Sequence, residues 1–446
     1  MRQTRALISQ LLQNIGGKKE VEAYLTQFAE VDSTKFAVIK VGGRVIQEGL
    51  EDLCSALAFL YEVGLYPIVI HGAGPQLTTA LAQAGHLTHW DEATGLRLTD
   101  AETLSIAAKL FTRVNHKLVD ALEQMGTRAR PIPTGVFDGE LLEPDRLGYV
   151  GRITGLDLDP IRSAIRSGHL PILSSLGHSA DGQLLNINAD DATRVLAERI
   201  EPHKVIFLIM KGGVLDGRKR LIPSINLAED HEAVMAAPWL TGGMRFKMEL
   251  IKDLLDKLPL SSSVAVTAPS LLPKELFTYR GSGTLIRRGE RVLRVDDGLE
   301  GIDRGRLKAL LEGCFRRELV PGYFEDKRFY RIYVTESYRA TAILTREKGL
   351  PYLDKFAVTE RAQGEGLGGS LWDRVQRDNP RMFWRSRVDN SRINPWYFSR
   401  SEGSVRDHQW VVFWHGLDSF DAIRDAIDCA LEMPHSLLSH AVTEPH

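Results

Sequence analysis

The stretch Phe36-Ala-Val-Ile-Lys-Val-Gly-Gly43 joins a short apolar run to two glycines. An apolar run of this length, bounded by a glycine turn, predicts a buried strand. The chain continues with Leu53, Leu57 and Leu60 at helical spacing, which predicts a helix that buries one side. This order of strand, glycine turn and helix indicates an α/β fold.

The same order repeats along residues 35–288. Strands are predicted at 67–70, 171–173, 205–209 and 263–266, and helices at 76–84, 191–200 and 246–258. Short apolar strands that alternate with amphipathic helices predict a mainly parallel sheet covered on both faces, which is a three-layer αβα domain. In such sheets ligands bind at the carboxyl ends of the strands.

The pattern changes near residue 288, where a charged run precedes the turn Asp296-Asp-Gly298. We predict an amphipathic helical extension at 1–31, an α/β domain at 32–288 and a second domain at 289–446. The extension is typical of either a lid on the core or an oligomer contact. In the second domain the pattern predicts strands at 330–335, 341–345 and 355–358 and helices at 306–316 and after Gly366, which is a mixed α/β arrangement.

Composition excludes several classes of protein. Lys and Arg number 56 and Asp and Glu 58, and this balance argues against a nucleic-acid-binding or membrane-surface protein. The three widely separated cysteines form neither a disulfide framework nor a metal-ligand spacing, so no metal site is predicted. No apolar run approaches the roughly 20 residues that cross a bilayer, and no secretory leader is indicated. We therefore expect a cytoplasmic location and no nucleic-acid or membrane partner.

Four motifs stand at strand ends in the first domain. They are Lys40-Val-Gly-Gly43, His71-Gly-Ala-Gly-Pro75, Asn186-Ile-Asn-Ala-Asp-Asp191 and Gly242-Gly-Met-Arg-Phe-Lys247. Glycine turns before a helix let backbone N–H groups converge on an anion. Phosphoryl transfer needs positioning and charge neutralisation more than covalent chemistry by the protein. We predict that Lys40 neutralises the transferring group and Lys247 the leaving oxygens, while an ionised Asp190 holds both ammonium groups.

Each motif alone also has a purely structural explanation. Two glycines after a strand commonly form an ordinary turn, Asp190 before a helix is typical of an N-cap, and Lys247 is explained as a solvated helix lysine. The order of the motifs, each at a strand-to-helix junction, favours the phosphoryl-transfer site.

With these motifs, residues 35–288 resemble the amino-acid kinase family, specifically N-acetylglutamate kinase. Gly95-Leu-Arg97 and the closing Gly281-Ser-Gly-Thr-Leu-Ile286 also fall in the family's order. The resemblance implies that Lys40, Lys247 and Asp190 are catalytic and that ATP with Mg²⁺ is the phosphoryl donor. It implies an N-acetylglutamate site formed by Gly72, Ala73, Arg97 and Asn186, with the Arg97 guanidinium on a carboxylate. The nucleotide-binding residues are predicted to be Gly42, Gly43, Lys211, Gly212 and Gly213.

Two positions depart from the family pattern. Ala73 replaces the second glycine of the usual His-Gly-Gly-Gly, which is a small change. The segment Ile209-Met-Lys-Gly-Gly213 stands where the family has a nucleotide segment of the Ser-Asp-Val-x-Gly type. The second departure leaves open an alternative in which this domain has lost kinase activity and senses arginine.

A second constellation begins with the predicted strand Leu353-Asp-Lys-Phe-Ala-Val358. The glycine-rich turn Gln363-Gly-Glu-Gly-Leu-Gly-Gly369 follows and opens a helix, where free N–H groups suit a pyrophosphate. Further on, Phe383-Trp-Arg-Ser-Arg387 places two arginines on one face of a strand. Either feature alone is also explained by an ordinary turn or by a solvated face.

Here the chain resembles the acetyltransferase domain of vertebrate-like N-acetylglutamate synthases, a branch of the Gcn5-related N-acetyltransferase fold. The matching segments are Pro351-Tyr-Leu-Asp-Lys-Phe356, Gln363-Gly-Glu-Gly-Leu-Gly368, Phe383-Trp-Arg-Ser-Arg387, Asn394-Pro-Trp-Tyr-Phe398 and Gln409-Trp-Val-Val-Phe-Trp414. The resemblance implies a glutamate site formed by Lys355, Arg385 and Arg387, with Asn390 or Asn394 nearby. It also implies Tyr397 as the acid that protonates the departing coenzyme A thiolate.

Acetyl-CoA is the second cofactor that this resemblance implies. Its predicted contacts lie on the strand and in the glycine-rich turn, at Phe356, Ala357, Val358, Gln363, Gly364, Gly366, Leu367, Gly368 and Gly369. An insertion between Asn390 and Asn394 leaves open which asparagine contacts glutamate, and the general base for the glutamate amine is not identified.

The leading hypothesis is therefore a bifunctional enzyme of arginine biosynthesis that makes N-acetylglutamate and phosphorylates it. The alternatives are a synthase whose first domain is an arginine sensor, and a non-catalytic sensor or scaffold. The resemblance further implies an L-arginine effector and a homo-oligomer, predicted as a dimer of dimers, with the helix at 1–31 contributing.

Overall fold

A computed structural model of the protein describes residues 35–277, 282–364 and 366–438. The predicted helical extension at 1–31 and Gly281 of the closing motif lie outside the described residues. The chain divides into two compact units between Arg288 and Gly289. They are called the first and second units here.

The strands of the first unit are β1 (Ala37–Val41), β2 (Ile68–His71), β3 (Ala129–Ile132), β4 (Phe137–Leu141), β5 (Gly151–Leu156), β6 (Leu170–Ser174), β7 (Leu176–His178), β8 (Leu184–Asn186), β9 (Lys204–Leu208), β10 (Ser224–Asn226), β11 (Ser263–Thr267) and β12 (Thr284–Arg287). Its helices are α1 (Gly43–Glu48), α2 (Leu50–Glu62), α3 (Gly74–Gln83), α4 (Ala101–Gln124), α5 (Pro144–Leu147), α6 (Asp159–Arg166), α7 (Ala189–Ile200), α8 (Leu227–Ala236), α9 (Gly242–Lys257) and α10 (Leu272–Phe277), with a 3₁₀ turn at Pro269–Leu271.

Eight of these strands form the main sheet in the order β10-β12-β11-β9-β1-β2-β6-β3. Neighbouring strands are parallel except for the β11–β12 pair, which is antiparallel. Alternate residues of one strand enter different cores, as Val69 does on one face and Ile68 and Ile70 on the other. The predicted three-layer domain with a mainly parallel sheet is therefore confirmed.

A second, four-stranded sheet in the order β5-β4-β7-β8 was not predicted from the sequence. Its strands carry glycines where the backbones pack tightly, which weakens the alternating apolar pattern. A Cβ atom on Gly139, for example, would lie 2.6 Å from the carbonyl oxygen of Arg152. The long helix α4 was also not predicted, although Asp100 caps it by accepting a hydrogen bond from the Thr103 amide at 2.7 Å.

The second unit contains β13 (Val292–Asp296), β14 (Arg331–Thr335), β15 (Ala340–Glu347), β16 (Leu350–Val358), β17 (Met382–Arg387), β18 (Gly403–Arg406) and β19 (Trp410–His415). Its helices are α11 (Arg304–Phe315), α12 (Tyr323–Asp326), α13 (Glu360–Gly364), α14 (Leu367–Asp378), α15 (Asn394–Arg400) and α16 (Phe420–Glu432).

These strands form one mixed sheet in the order β13-β14-β15-β16-β17-β19-β18. All neighbours are antiparallel except β16 and β17, which are parallel and pair at only two positions, Tyr352–Phe383 and Leu353–Trp384. Beyond Leu353 the described residues of the two strands no longer pair, so the sheet is open between β16 and β17 at this end. The predicted mixed α/β fold of this unit is confirmed.

The β15–β16 pair changes register at this point. Ile343 pairs with Lys355 and Leu344 with Leu353, so Asp354 is the extra residue of a β-bulge. In a regular strand adjacent side chains point to opposite faces. The bulge allows Asp354 and Lys355 to turn toward each other. Among all the residues whose structure is described, no helix has the length and apolar character needed to cross a membrane.

Candidate functional site

A carboxylate and two ammonium groups meet beside the carboxyl end of β1. Lys40 lies on β1, Asp190 in the first turn of α7 and Lys247 in the second turn of α9. The Lys40 Nζ atom is 2.7 Å from Asp190 Oδ1, and Lys247 Nζ donates a hydrogen bond to Asp190 Oδ2 at 2.6 Å. The structure therefore brings together these three residues, called the phosphate cluster below.

The phosphate cluster is largely buried, with 17% of the Asp190 side chain and 9% of the Lys247 side chain exposed. Burial raises the pKa of Asp190, but the charges of Lys40 and Lys247 outweigh it and hold this pKa well below its usual range. Burial lowers the pKa of Lys247, and the charge of Asp190 opposes that shift. The Lys247 ammonium also lies 4.7 Å from the centre of the Phe207 ring. An ionised carboxylate thus holds two cations at one point.

Glycine-rich turns adjoin these residues. A Cβ atom on Gly43 would lie 2.5 Å from Oε1 of Gln76, whose Nε2 donates to the Gly43 carbonyl at 2.6 Å. Gly42 caps α1, and α9 begins at Gly242, four residues before the predicted start at 246. Neither helix start has a side-chain cap, and a Cβ atom on Gly242 or Gly243 would meet nothing within 4 Å. The first N–H groups of α9 therefore adjoin open space that suits phosphate oxygens.

The Arg97 guanidinium is held in place by neutral groups. It donates to the Thr88 hydroxyl at 3.0 Å, the Thr78 hydroxyl at 2.8 Å and the Gly74 carbonyl at 3.1 Å, and it lies 4.3 Å from the centre of the Trp90 ring. Only 6% of Arg97 is exposed, and burial lowers its pKa. No carboxylate of the described residues lies within ion-pair distance of it. This oriented cation can accept a substrate carboxylate.

The other predicted N-acetylglutamate residues lie around the same turns. A Cβ atom on Gly72 would touch the Ala189 side chain at 3.2 Å, so Gly72 lies against the start of α7. Ala73 is 1% exposed and packs into the core, which explains why a methyl group is tolerated in place of glycine. Asn186 donates to the Thr99 hydroxyl at 2.9 Å, and that hydroxyl donates to the Arg97 carbonyl at 3.0 Å.

The unusual segment Ile209-Met-Lys-Gly-Gly213 follows β9 and keeps a glycine turn. Gly212 has a φ of 75°, and a Cβ atom on Gly213 would lie 2.9 Å from the Thr284 hydroxyl oxygen. That hydroxyl accepts a hydrogen bond from the Val214 amide at 2.8 Å and so fixes the end of the turn. The Lys211 side chain is exposed. The segment that departs from the family pattern therefore still forms a glycine turn, and it carries an exposed lysine.

In the second unit, the opening between β16 and β17 adjoins the glycine-rich turn. Phe356, Ala357 and Val358 lie beyond the last described pairing of β16 with β17. Gln363 Nε2 donates to the Val358 carbonyl at 2.9 Å, and a Cβ atom on Gly368 would lie 3.3 Å from the Val358 side chain. The turn thus lies directly beside the end of β16.

Helix α14 starts beside this turn. Gly366 has a φ of 74° and occupies the N-cap without a capping side chain, while Leu367 is buried in the core. A Cβ atom on Gly369 would meet nothing within 4 Å. Gly364 ends α13 and Leu367 begins α14, so most of the stretch predicted as a turn at 363–369 is helical. The uncapped N–H groups at the start of α14 can donate to a pyrophosphate. The adjacent opening between β16 and β17 can hold an extended chain attached to that pyrophosphate.

Lys355 belongs to a buried ionic group on the bulge of β16. The Asp354 carboxylate accepts hydrogen bonds from Lys327, from Lys355 at 2.9 Å and from the Tyr323 hydroxyl at 2.6 Å. Lys355 Nζ also donates to the Ser436 hydroxyl and to the Asp354 carbonyl at 3.2 Å. Asp354 with Lys327, Lys355 and Tyr323 is called the Asp354 cluster below.

Burial raises the pKa of Asp354, but the charges of Lys355 and Lys327 outweigh burial and hold that pKa well below its usual range. Burial likewise lowers the pKa of Lys355, opposed by Asp354. Only 4% of the Lys355 side chain and 5% of the Asp354 side chain are exposed. Lys355 is therefore a buried cation with an ionised partner.

The two arginines of β17 have different surroundings. Arg385 donates to the Ala430 carbonyl at 2.6 Å and the Pro434 carbonyl at 2.9 Å, and its guanidinium lies 4.0 Å from the centre of the Trp410 ring. Arg387, whose side chain is 39% exposed, pairs with Asp389 through its Nε at 3.2 Å. Both arginines retain N–H donors that can turn toward a carboxylate.

The structure separates the two candidate asparagines. Asn394, which is 7% exposed, donates to the Arg387 carbonyl at 2.8 Å, and its buried Oδ1 has no described partner. Asn390 is half-buried in the turn after β17. Tyr397 lies one turn after Asn394 and is 6% exposed among aromatic rings, including Trp384 at 5.6 Å. Burial raises the pKa of Tyr397, so its hydroxyl stays protonated and can donate.

Sequence reasoning missed the residues that hold the predicted ones in place. In the first unit they are Thr78, Thr88 and Trp90, and in the second Tyr323, Lys327, Asp354 and Ser436. Asp354 had a usable signal, because it lies inside the quoted Leu353-Asp-Lys-Phe segment beside Lys355. Ser436 had none, since it lies far along the chain in a segment without a motif. Within residues 35–277, 282–364 and 366–438, no group of three or more His, Cys, Asp or Glu side chains is placed to hold a metal ion.

Comparison with known proteins places both units in characterised families. The profile of the amino acid kinase family matches residues 35–260, and that of the N-acetyltransferase of N-acetylglutamate synthase matches residues 294–432. The chain is 48% identical over 422 residues to acetylglutamate kinase of Xanthomonas campestris pv. campestris, covering 93% of this chain and 98% of that protein.

Two further similarities extend over both units. The chain is 37% identical over 421 residues to the mitochondrial N-acetylglutamate synthase of Homo sapiens, covering 91% of this chain and 75% of that protein. The crystal structure of N-acetylglutamate synthase from Neisseria gonorrhoeae, complexed with coenzyme A and N-acetyl-glutamate, superimposes with a TM-score of 0.63 at 19% identity. It covers 89% of this chain and 98% of that chain and supports the fold of both units.

Proposed function

The chain belongs to the amino acid kinase family, and from this premise we propose that it is a bifunctional enzyme of arginine biosynthesis. The second unit transfers the acetyl group of acetyl-CoA to L-glutamate and gives N-acetylglutamate. The first unit phosphorylates N-acetylglutamate with ATP and gives N-acetylglutamyl phosphate. The relative named acetylglutamate kinase, which this chain matches along nearly its whole length, supports the pairing of the two units.

The observation that carries the kinase proposal is the convergence of Lys40 and Lys247 on Asp190. In phosphoryl transfer, negative charge spreads over the oxygens of the moving group and of the leaving group. Lys40 and Lys247 lie on either side of one carboxylate, which lets one cation meet each set of oxygens. The N–H groups at the start of α9 add donors that need no reorganisation during the reaction.

Substrate orientation in the first unit is assigned to Arg97 and Asn186. The Arg97 guanidinium grips one carboxylate of N-acetylglutamate, while its threonine and tryptophan neighbours fix its direction. The amide of Asn186, joined to Arg97 through Thr99, is placed to meet the acetamido group or a carboxylate. The second carboxylate then faces the phosphate cluster as the nucleophile.

In the second unit, the glutamate amine attacks the carbonyl carbon of the thioester. The C–N bond forms as the nitrogen gives up a proton to solvent, the C–S bond breaks, and the thiolate takes a proton from the Tyr397 hydroxyl, which solvent then reprotonates. Arg385 and Arg387 hold glutamate by its carboxylates, since both arginines retain free N–H donors. The opening beyond Leu353 and the uncapped start of α14 would hold the pantetheine chain and the pyrophosphate of acetyl-CoA.

The alternative of a first unit that only senses arginine is disfavoured by the assembled phosphate cluster. A sensor has no need of two cations that share one buried carboxylate and still have unfilled N–H donors. Mg²⁺ as the companion of ATP, L-arginine as an effector, a dimer of dimers and a cytoplasmic location remain predictions from the sequence.

Two assays on the intact chain test this proposal. The first combines glutamate with acetyl-CoA and follows release of the coenzyme A thiol. The second combines N-acetylglutamate with ATP and Mg²⁺ and follows ADP. We expect both products, and titration with L-arginine in each assay tests the effector prediction. Thiol without ADP would establish the sensor alternative, and neither product would refute both activities.

Single-site variants connect each activity to its unit. Lys40→Met should abolish ADP formation and leave thiol release within twofold of the unaltered chain. Arg387→Leu should have the opposite pattern, because it removes a carboxylate-binding cation from the second unit only. Loss of both activities in either variant would show that the two sites are not independent.

A further inference from the structure

A short segment after α16 contacts two cations of the predicted glutamate site, the buried Lys355 and the half-buried Arg385. We call residues 433–438 the C-terminal strap. The Ser436 hydroxyl accepts a hydrogen bond from Lys355 Nζ, and the Pro434 carbonyl accepts one from Arg385 at 2.9 Å. Lys355 lies on β16 and Arg385 on β17, the two strands between which the sheet opens. One segment therefore fixes a cation on each side of the opening.

The strap is itself fixed by backbone hydrogen bonds to the segment that follows α11. The Leu438 amide donates to the Glu318 carbonyl at 2.9 Å, and the Val320 amide donates to the Ser436 carbonyl at 3.3 Å. Between them, Leu319 and Leu437 form an antiparallel bridge. These contacts fix the backbone at Ser436, so its hydroxyl oxygen is held in position to accept the hydrogen bond from Lys355.

Ser436 completes the hydrogen bonding of the Lys355 ammonium. A lysine has three N–H donors, and here the acceptors are the Ser436 hydroxyl, the Asp354 carboxylate at 2.9 Å and the Asp354 carbonyl at 3.2 Å. The last of these is the longest and is made to a neutral oxygen. A substrate carboxylate can replace the Asp354 carbonyl as acceptor only if the Asp354 carboxylate and the Ser436 hydroxyl keep the Lys355 ammonium in place.

The strap acts in a similar way on Arg385. Its guanidinium donates to the Ala430 carbonyl in the last turn of α16 and to the Pro434 carbonyl of the strap. One face lies 4.0 Å from the centre of the Trp410 ring, and the His435 ring of the strap packs against the same tryptophan at 5.6 Å. With two N–H groups and one face occupied, the remaining donors point in a fixed direction.

We propose that Ser436 is a positioning residue for glutamate binding, which acts by holding Lys355 while the strap carbonyl at Pro434 holds Arg385. The inference rests on the proposed acetyl transfer, since it concerns how that reaction's amino acid is held. Its effect is on glutamate affinity rather than on the chemical step, because Ser436 contacts the ammonium and not the reacting amine or thioester.

The test compares Ser436→Ala, Ser436→Thr and the unaltered chain in the thiol-release assay, with glutamate varied at saturating acetyl-CoA. Ser436→Ala should raise the KM for glutamate about tenfold, as expected for loss of a hydrogen bond to a charged group, and change kcat less than about twofold. Ser436→Thr keeps the hydroxyl and should restore the KM to within about threefold. Ser404→Ala, at an exposed position on β18, is the matched control.

Each outcome distinguishes this inference from the proposed function. Absence of thiol release in the unaltered chain refutes the acetyl-transfer proposal itself. With an active unaltered chain, an unchanged or lower KM in Ser436→Ala overturns the positioning role, and a lower KM would mean that Ser436 competes with glutamate for Lys355. A fall in kcat that Ser436→Thr does not restore also overturns it. ADP formation by the first unit, measured in every variant, must stay constant.

Discussion

The phosphate cluster and the Asp354 cluster consist of the same groups, one buried carboxylate between two lysines, but their surroundings differ. In the phosphate cluster, the only described side chains that form ion pairs or hydrogen bonds with the carboxylate are the two lysines. In the Asp354 cluster, the carboxylate also accepts a hydrogen bond from a tyrosine hydroxyl. The exposed fraction of the carboxylate side chain is 17% in the first cluster and 5% in the second.

The two clusters differ most in how many lysine donors are filled. Lys40 and Lys247 each have one described oxygen partner, so each retains N–H groups for phosphate oxygens. The three donors of Lys355 all have acceptors. The phosphate cluster therefore offers unfilled donors to a reacting group, whereas the Asp354 cluster stabilises the fold and holds Lys355 in place.

The largest expected effect follows from removing the charge of Asp190. In Asp190→Asn the two ammonium groups of the phosphate cluster repel each other and lose their common anchor. We expect kcat for ADP formation to fall about 1,000-fold, comparable with the loss of a main charge-stabilising group. Thiol release by the second unit should be unaffected.

The matched control is Asp191→Asn, because this neighbouring acid pairs with Arg194 on the same helix instead of facing the cluster. It should change ADP formation less than twofold. If Asp190→Asn retained more than a tenth of the activity, the phosphate cluster would be a structural ion group like its counterpart in the second unit.

Removing the charge of Asp354 should mainly affect stability. Asp354→Asn leaves Lys355 as an uncompensated buried cation, and such changes cost about 3–5 kcal/mol. We expect about 3 kcal/mol, the lower end, since Lys327 is 19% exposed and can hydrate. Urea unfolding followed by tryptophan emission measures this loss, because five of the seven tryptophans lie in the second unit.

Asp326→Asn, at an exposed acid of α12, is the control for this variant and should shift the free energy of unfolding by less than about 0.5 kcal/mol. If Asp354→Asn had the same free energy of unfolding as the unaltered chain but no longer released thiol, the proposed difference between the two clusters would be wrong. Asp354 would then act on substrate instead of on the fold.

As the pH falls, the free energy of unfolding of the first unit should decrease before the carboxylate of either cluster is protonated. His71 on β2 is fully buried beside Asn115, and burial lowers its pKa from 6.5 to about 4. Between these pH values the unfolded chain binds a proton that the folded chain does not, so stability falls as the pH falls from 6.5 towards 4. From pH 7 to pH 5 the loss should be about 2 kcal/mol.

The carboxylates of Asp190 and Asp354 have lowered pKa values, so their contributions are lost only below their ordinary pKa, near 3.8. Urea titrations at pH 7 and pH 5, with the first unit followed by hydrogen exchange of β2 and α4, measure the loss. His71→Gln should remove about 2 kcal/mol of the pH dependence. An equal pH dependence in this variant would assign the effect to other groups, such as the partly buried His203.

The order of the sequence motifs predicted the phosphate cluster, although only Lys40 and Asp190 stand at strand-to-helix junctions, because α9, which carries Lys247, follows α8. Lys40 lies at the carboxyl edge of the main parallel sheet, where ligands bind in such folds. Asp190, 150 positions further along the chain, follows β8 of the small sheet, so its place beside Lys40 was predicted by its motif and not by the main sheet. Five strands of the main sheet, β1, β2, β6, β9 and β11, were predictable because they are largely apolar runs, whereas the short strands β3, β10 and β12 contain polar residues and were missed.

The Asp354 cluster could not be predicted in this way. Its geometry depends on a β-bulge that turns two adjacent side chains toward each other, and on a lysine and a serine from segments without periodicity. A register shift of one residue reverses the side-chain direction, and no local pattern specifies it. The small sheet of the first unit was missed because its glycines hide the alternation.

The smallest change in activity is expected from substitution of Tyr397. The leaving group of acetyl transfer is a thiolate, which needs less stabilisation than the leaving group of phosphoryl transfer. A thiolate leaves readily, so Tyr397→Phe should lower kcat for thiol release only about tenfold, below the usual range for general acid catalysis. Because the ring keeps its aromatic contacts, folding should be intact, and the KM values should change little. Phe413→Leu, which alters the same aromatic cluster without removing a hydroxyl, separates packing from proton donation. Complete loss of thiol release in Tyr397→Phe, with an unchanged free energy of unfolding, would show that this tyrosine does more than protonate the thiolate. Acetyl transfer would then depend on Tyr397 as strongly as phosphoryl transfer depends on Asp190.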